Sequence, residues 1–329
     1  MSKLRLSVAI GDYDRTRALI DGTVGIDGVD PVVMPLGPEE IFFRALRNEE
    51  FDICELSLSS FTVRTARGDC PYVGVPAFLS RAFRHTSIYV RTDRVSTPED
   101  LKGKRMGLPE YQLTANVWAR ALLEDDYGVK PADMVWVRAG IEEPGRIEKI
   151  AVDLPKNVRL EDAPAEATLA GLLAAGEIDA MMGPRAPSCY REKHPHVGRL
   201  FPDSEAAARD YYDRTGIFPI MHLIGVRRSL AEAHPWLPAA VLKALIGAKR
   251  IGLEKLEDLS ASKVMLPFAA EQLERTQAQM GRDFWTYGAR QNAVTLNAFL
   301  RHHHAQGLSQ RKLTIEDLFH PATLEEFKI

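Results

Sequence analysis

Short apolar runs alternate with amphipathic stretches along most of the chain. In the first third, runs at 3–10, 32–35 and 51–56 predict strands. The stretches between them predict helices at 15–21 and 38–47, the second with Ile41, Phe42 and Ala45 on one face. This alternation of strands and helices is typical of βαβ units around parallel sheets.

A sharp boundary follows at Thr97-Pro98-Glu99-Asp100. These residues have the form of a capping box at a helix start, with Pro98 at the first helical position. Beyond it the alternation resumes, and the end of the chain has mainly helical character. We expect strands at 105–108, 134–138, 180–182 and 219–226, and helices at 114–127, 165–175 and 237–253.

The order of these elements predicts an α/β protein with two lobes. Lobe one is expected to comprise residues 1–91 and 219–329, and lobe two residues 92–218, with crossings near 89–94 and 216–221. Each lobe is expected to be a mostly parallel sheet flanked by helices. Two crossovers of this kind place a ligand cleft between the lobes, at the carboxyl ends of the strands.

Composition narrows the class of protein. The 329 residues are 45% hydrophobic and 26% charged, with a net charge of −3 and a pI near 6.3, which is typical of a globular protein. This balance provides no basic field that would attract nucleic acid or an anionic membrane. Without a recognisable secretory signal or an 18-residue apolar run, we expect a cytoplasmic protein.

Cys54, Cys70 and Cys189 lack C-x-x-C spacing and predict reduced, structural thiols.

Several strings resemble known families. LKGKRMG (101–107), AGEIDA (175–180) and HPWL (234–237) resemble recurring phrases of type II periplasmic binding proteins. A closer resemblance, across nearly the whole length, is to the 4,5-dihydroxyphthalate decarboxylase family. It rests on the strings GDYDRT (11–16), ELSLSS (55–60), FRH (83–85), GLPEYQLTA (107–115) and TGIFPIMH (215–222).

The resemblance implies a two-lobed, type II periplasmic-binding-protein-like fold with a decarboxylase activity. The implied reaction is non-oxidative conversion of a hydroxylated phthalate to a hydroxybenzoate, as in phthalate degradation and aromatic catabolism. No organic cofactor is implied, and no residue spacing indicates a metal site. The expected partner is a small aromatic dicarboxylate. We also expect a homo-oligomer, with Trp285, Tyr287 and Phe299 serving as core or oligomer contacts.

Loss of carbon dioxide from an aromatic ring requires a proton donor. Direct loss would leave a costly aryl carbanion, whereas protonating the ring carbon first allows a para phenolic oxygen to supply electrons. His222 and His85 are the candidate acids, since histidine exchanges protons near neutral pH. Sequence does not choose between them. Glu110 is either the acceptor for the phenolic proton or an ordinary acid in a helix first turn.

Binding the substrate requires groups for two carboxylates and the ring hydroxyls. Arg81, Arg84 and Arg185 are candidate carboxylate anchors; the plainer interpretation of each is a solvated surface arginine. If residues 81–85 are extended, Arg81 and His85 share one side and Arg84 lies on the other. Further candidates lie at predicted helix starts and in the first turn of the chain: Ser59, Ser60, Tyr111, Thr114, Asp12 and Tyr13.

One different class of function stays open at this stage. A non-catalytic solute-binding protein for an aromatic or other small carboxylate would have the same architecture. The expected cytoplasmic location argues against it, because such receptors normally act outside the cytoplasm. His302, His303 and His304 are consecutive, so they do not share one helical face, and we interpret them as a solvated helix surface.

Overall fold

The structure, a computed structural model, describes residues 3–325. The eleven strands of this part of the chain run as follows: β1 (Leu4–Ile10), β2 (Val29–Pro35), β3 (Ile53–Ser57), β4 (Tyr72–Arg81), β5 (Ile88–Arg91), β6 (Arg105–Leu108), β7 (Val135–Arg138), β8 (Arg159–Asp162), β9 (Ala180–Met182), β10 (Val197–Arg199) and β11 (Ile220–Arg227).

Within the same residues, twelve α-helices connect and cover the strands: α1 (Arg17–Ile20), α2 (Pro38–Asn48), α3 (Leu58–Arg67), α4 (Thr114–Tyr127), α5 (Leu169–Ala175), α6 (Ser188–Arg191), α7 (Ser204–Thr215), α8 (Arg228–Ala233), α9 (Leu237–Glu257), α10 (Ala269–Met280), α11 (Ala293–Ala305) and α12 (Ile315–Leu318). Single 3₁₀ turns occur at Arg84–Ser87, Pro98–Leu101, Pro131–Asp133 and Pro321–Thr323. The capping box predicted at Thr97 and Asp100 is confirmed.

The first sheet has the strand order β2-β1-β3-β11-β4. β1 is parallel to β2 and β3, whereas β11 runs antiparallel to β3 and β4. The long strand β4 was not predicted, because Gly74 and Pro76 interrupt its sequence. β4 can nevertheless contain Pro76 because it is the edge strand of the sheet, and proline is tolerated where one side of a strand needs no partner.

The second sheet has the order β10-β5-β9-β6-β7-β8. Strands β6 to β9 are mutually parallel where they pair, and β5 is antiparallel to β9 and β10. Both sheets are therefore mixed. Because β5 pairs in the second sheet, the chain changes sheets at 82–87, earlier than the expected 89–94. It returns after the left-handed Gly216 that ends α7.

In the C-terminal part of the chain, the side chains of two histidines and two aromatic residues are buried. The solvated surface predicted for the three histidines is wrong for His302 and His303, which are 1% exposed and fully buried. They face α4 and α3, so their surroundings depend on contacts distant in sequence. Tyr287 and Phe299 are buried in the core, and the three cysteines are free and buried. No helix in the described part of the chain has the length and apolarity needed to cross a membrane.

Candidate active site

The carboxyl ends of strands from the two sheets face each other. Ser57, the last residue of β3, lies 3.0 Å (Oγ to Oγ1) from Thr114, which begins α4 after β6. The Ser60 hydroxyl donates to Gln112 Oε1 at 2.9 Å. Parallel strands bring the loops that follow them to one edge of a sheet, and here two such edges meet. Residues from both lobes can therefore act on one ligand.

A buried glutamate organises the lobe-one side of this junction. Glu55 is fully buried in β3, and its Oε2 accepts a hydrogen bond from the backbone N–H of Gly11 at 2.9 Å. The other oxygen, Oε1, accepts the Tyr13 hydroxyl at 3.1 Å and lies 2.6 Å from His222 Nδ1. Burial and the neighbouring Glu55 raise the pKa of Tyr13, which keeps its phenol protonated.

Strand pairing explains how His222 reaches Glu55. In the β3–β11 ladder, His222 lies opposite Ser57 and Ile224 lies opposite Glu55, so all four share one face of the sheet. The Phe42 ring of α2 packs edge-on against the imidazole, with centroids 4.8 Å apart.

The other ring nitrogen of His222, Nε2, has no hydrogen-bond partner among residues 3–325, and the side chain is 18% exposed. Because Nδ1 faces Glu55 Oε1, Nε2 is the ring nitrogen left to meet a ligand.

The second candidate acid has a different environment. His85 is 2% exposed and packs edge-on against Phe201 and Tyr211, with centroids 5.1 and 5.5 Å away. Burial lowers its pKa to about 4, so the ring is neutral at pH 7. The extended conformation assumed for 81–85 is wrong, because Arg84–Ser87 forms a 3₁₀ turn. This placement favours a core role for His85 over proton donation.

Arg84 is a partly buried arginine without an acidic partner among the described residues. Its guanidinium contacts only Met221 Sδ at 3.1 Å and Ser87 Oγ at 3.4 Å, and the described residues supply it with no carboxylate. Burial lowers its pKa to about 10, so it remains charged at neutral pH. A partly buried guanidinium with no carboxylate partner is well suited to bind an anionic ligand.

The other two predicted arginines differ sharply from each other. Arg81 donates to the carbonyls of Phe218 (3.0 Å) and Thr286 (2.6 Å) and to the Asn292 side chain. These bonds join the second crossing to the C-terminal part of lobe one and leave only Nε without a partner. Arg185 is exposed after β9 and has no ion-pair partner in the described residues. Of the two, Arg185 is the one free to meet a ligand.

The predicted hydroxyl groups connect the lobes. The backbone N–H of Ser59 donates to Thr114 Oγ1 at 2.9 Å, and the Ser59 hydroxyl lies 3.1 Å from His303 Nε2. Ser59, Ser60 and Thr114 are all buried, and each hydroxyl already has a protein partner. Their geometry supports a role in holding the two lobes together more directly than a role in binding an anion.

Glu110 lies at the centre of a buried ion cluster. Its oxygens accept from Arg146 Nε at 2.9 Å, from Lys149 Nζ at 2.7 Å and from Gln112 Nε2 at 3.0 Å. A carboxylate so fully engaged has no free oxygen for a phenolic proton. Arg146 and Lys149 were not predicted, because isolated cations in an irregular loop carry no periodic signal. The sequence did contain a signal for Glu55, because it is an acidic residue in the middle of a buried strand.

The remaining candidates are Tyr111 and Asp12. Tyr111 is fully buried in lobe two, edge-on to Trp136 and beneath the Arg120 guanidinium at 3.8 Å from its ring centroid. Asp12 is exposed and paired with Arg17. Among the described residues, neither side chain hydrogen-bonds to the Glu55 cluster, which we define as Tyr13, Glu55 and His222. Within residues 3–325, no three His, Cys, Asp or Glu side chains are grouped so that they could hold a metal ion.

Solved structures confirm the fold class. The periplasmic aliphatic sulphonate-binding protein of Escherichia coli superposes with a TM-score of 0.51 at 16% identity, covering 100% of this chain and 96% of that one. A protein of Bordetella bronchiseptica RB50 gives the same TM-score and identity, covering 98% and 96%. At this identity the likeness establishes the two-lobed periplasmic-binding-protein fold and nothing about the ligand.

Sequence relatives are much closer. A 4,5-dihydroxyphthalate decarboxylase of Comamonas testosteroni is 58% identical over 330 residues, covering 100% of both chains. A second, of Pseudomonas putida, is 60% identical over 213 residues, covering 64% of this chain and 83% of its own. No family model matches the chain. Full-length identity at this level shows that the chain belongs to the 4,5-dihydroxyphthalate decarboxylase family.

Proposed function

We propose that this protein is a carboxy-lyase that converts 4,5-dihydroxyphthalate to protocatechuate and carbon dioxide. The observation that carries the proposal is the 58% identity, over the whole length, to a relative named for that reaction. The Glu55 cluster adds a chemical reason, since it presents a histidine with one nitrogen held by a carboxylate and the other free. A proton donor is one of the groups that this decarboxylation requires.

The reaction proceeds in two steps on the ring. A proton adds to the ring carbon that bears the departing carboxylate, while the para phenolic oxygen supplies electron density and becomes carbonyl-like. The bond to the carboxylate then breaks, carbon dioxide leaves, and its electron pair restores the aromatic ring and the phenol. One proton is consumed for each carbon dioxide released. Stabilising the protonated ring is therefore the main catalytic task.

Each step has a candidate residue. His222 donates the proton from Nε2, and Glu55 orients the imidazole and balances the positive charge it carries before donation. Arg84 holds a carboxylate of the substrate, since it is a partly buried cation to which the described residues supply no carboxylate. Arg185, which is exposed after β9, is the candidate carboxylate anchor from lobe two. The Tyr13 phenol, held by Glu55, is available to hydrogen-bond a ring hydroxyl.

Turnover by the purified protein tests this proposal. Incubated with 4,5-dihydroxyphthalate, the wild type should release carbon dioxide and accumulate protocatechuate in equal amounts. His222→Gln should reduce kcat at least about 100-fold, because a general acid contributes about 10²–10⁴ in rate. His85→Gln is the matched control and should alter kcat only a few-fold.

Tight binding of 4,5-dihydroxyphthalate without any turnover would contradict the enzyme assignment and favour a solute-binding protein. Equal loss of kcat in the two histidine variants would instead contradict the choice of His222 as the acid.

A further inference from the structure

Two cations of lobe two face the start of α2 in lobe one. Arg146 and Lys149, in the loop after β7, share two carboxylates, Glu110 of their own lobe and Glu39 of lobe one. Glu110 is fully buried, and its oxygens are occupied by this cation pair and by Gln112. With Glu39 present, two positive charges balance two negative charges.

Glu39 uses one of its two carboxylate oxygens to pair with the two cations. Oε2 accepts from Arg146 Nη2 at 2.6 Å and from Lys149 Nζ at 2.9 Å, whereas Oε1 has no partner among the residues described. The Glu39 side chain is 42% exposed and that of Lys149 is 1% exposed. Burial alone would raise the pKa of Glu39, but the Lys149 charge and both hydrogen bonds hold it below its usual value. A partly exposed, ionised carboxylate therefore covers a buried cation.

The cation pair and His222 contact α2 at positions one helical turn apart. Glu39 and Phe42 are three residues apart in α2 and share a face, and Phe42 packs against the His222 ring. Three residues of helix span about 4.5 Å along the axis. The neighbouring Phe43 ring lies 5.2 Å from Lys149 Nζ and forms a wall beside the pair. The cation pair and the His222 imidazole therefore lie along the same side of α2.

We propose that Arg146 and Lys149 bind the carboxylate that the aromatic substrate retains, and that Glu39 occupies this subsite until the substrate displaces it. The inference rests on the proposed function, which supplies an aromatic dicarboxylate as ligand. Arginine offers a planar fork for a carboxylate and lysine a point charge, so the pair suits two oxygens at once. A ring anchored there by one carboxylate presents the adjacent carbon, with the departing carboxylate, towards His222.

Competition binding to the full-length protein tests the subsite without requiring turnover. The probes are protocatechuate, which keeps one carboxylate, and catechol, which has none. Glu39→Gln removes the competing charge and nearly preserves the side-chain shape. Protocatechuate should therefore bind about tenfold more tightly, with catechol unchanged. Glu40→Gln is the matched control: it is adjacent in α2, is exposed and pairs with Arg44, so neither probe should respond.

Arg146→Gln should have the opposite effect, weakening protocatechuate about tenfold and leaving catechol unchanged. Unchanged or weaker protocatechuate binding by Glu39→Gln would overturn the proposal; weaker binding would assign Glu39 to closure of the two lobes instead. Equal affinity of the wild type for both probes would also overturn it. A wrong decarboxylase assignment would give a different result: 4,5-dihydroxyphthalate would yield no protocatechuate, while added protocatechuate would still bind.

Discussion

At the scale of single residues, unused hydrogen-bonding capacity distinguishes His222 and Arg84 from Glu110 and Arg81. Glu110 and Arg81 are charged and buried, but their hydrogen-bonding groups are almost entirely taken by protein partners. His222 and Arg84 each keep capacity that the described residues do not use. Protein interiors normally satisfy polar groups, so unused capacity at the meeting point of two lobes indicates a ligand.

Glu55 acts on the reaction through His222, and its amide variant should separate catalysis from binding. Glu55→Gln keeps the size of the side chain but removes the charge that balances the imidazolium. We expect kcat to fall about 100-fold with KM little changed, because the proton donor is impaired and the carboxylate anchors are intact. Steady-state kinetics measure both constants.

Tyr13→Phe is the comparison for this variant, since it removes another partner of the same Glu55 oxygen and leaves the charge in place. Its kcat should fall less than tenfold. A rise in KM without loss of kcat in Glu55→Gln would assign Glu55 to substrate binding and remove its positioning role.

At the scale of elements, helices with strong periodicity or capping are predicted well and short edge strands are not. The helix expected at 114–127 is α4 (Thr114–Tyr127), and the helix expected at 38–47 extends by one residue. Strands β8 and β10, of four and three residues, were missed because they lie at the two edges of the second sheet and lack alternation. These two segments are strands because they pair with neighbouring strands, and their local sequence does not predict them.

The junction of α3 and α4 should contribute measurably to stability. Thr114→Val preserves shape but leaves the Ser59 N–H and the Ser57 hydroxyl without this partner. We expect the free energy of unfolding to fall by about 1–3 kcal/mol, as for buried polar groups left unpaired. Urea denaturation measures the change.

Thr62→Val is the matched control. Thr62 is also buried in α3, but the one partner of its hydroxyl among residues 3–325 is the Leu58 carbonyl of its own helix. Its loss should cost less than about 1 kcal/mol. Similar losses in both variants would show that bonds between the lobes add nothing to stability beyond ordinary burial.

At the scale of the whole molecule, folding buries two histidines in their neutral form. Burial lowers the pKa of His85 to about 4 and that of His303 to about 3, from an ordinary value near 6.5. Below pH 6.5 the unfolded chain therefore binds more protons than the folded chain. This difference means that acid favours unfolding, and that stability rises with pH through this window.

Stability should accordingly decline as pH falls from 6.5 to 5. Each of the two histidines contributes a slope of up to about 1.4 kcal/mol per pH unit. Urea unfolding at several pH values measures the slope, and His303→Gln should reduce it by about half. His196→Gln, at an exposed position, should leave it unchanged. A wild-type slope near zero across this window would contradict the neutral, buried state of both rings.

The sequence alone determined the α/β class, the two-lobed order of elements and the residues that carry the family resemblance. These depend on neighbours along the chain, which set periodicity, capping and turns. Only the tertiary structure decided which candidates meet: it joined Tyr13, Glu55 and His222, separated His85 from them, and set Arg146 and Lys149 against Glu39. The physical reason is that burial and charge pairing depend on contacts between residues distant in sequence.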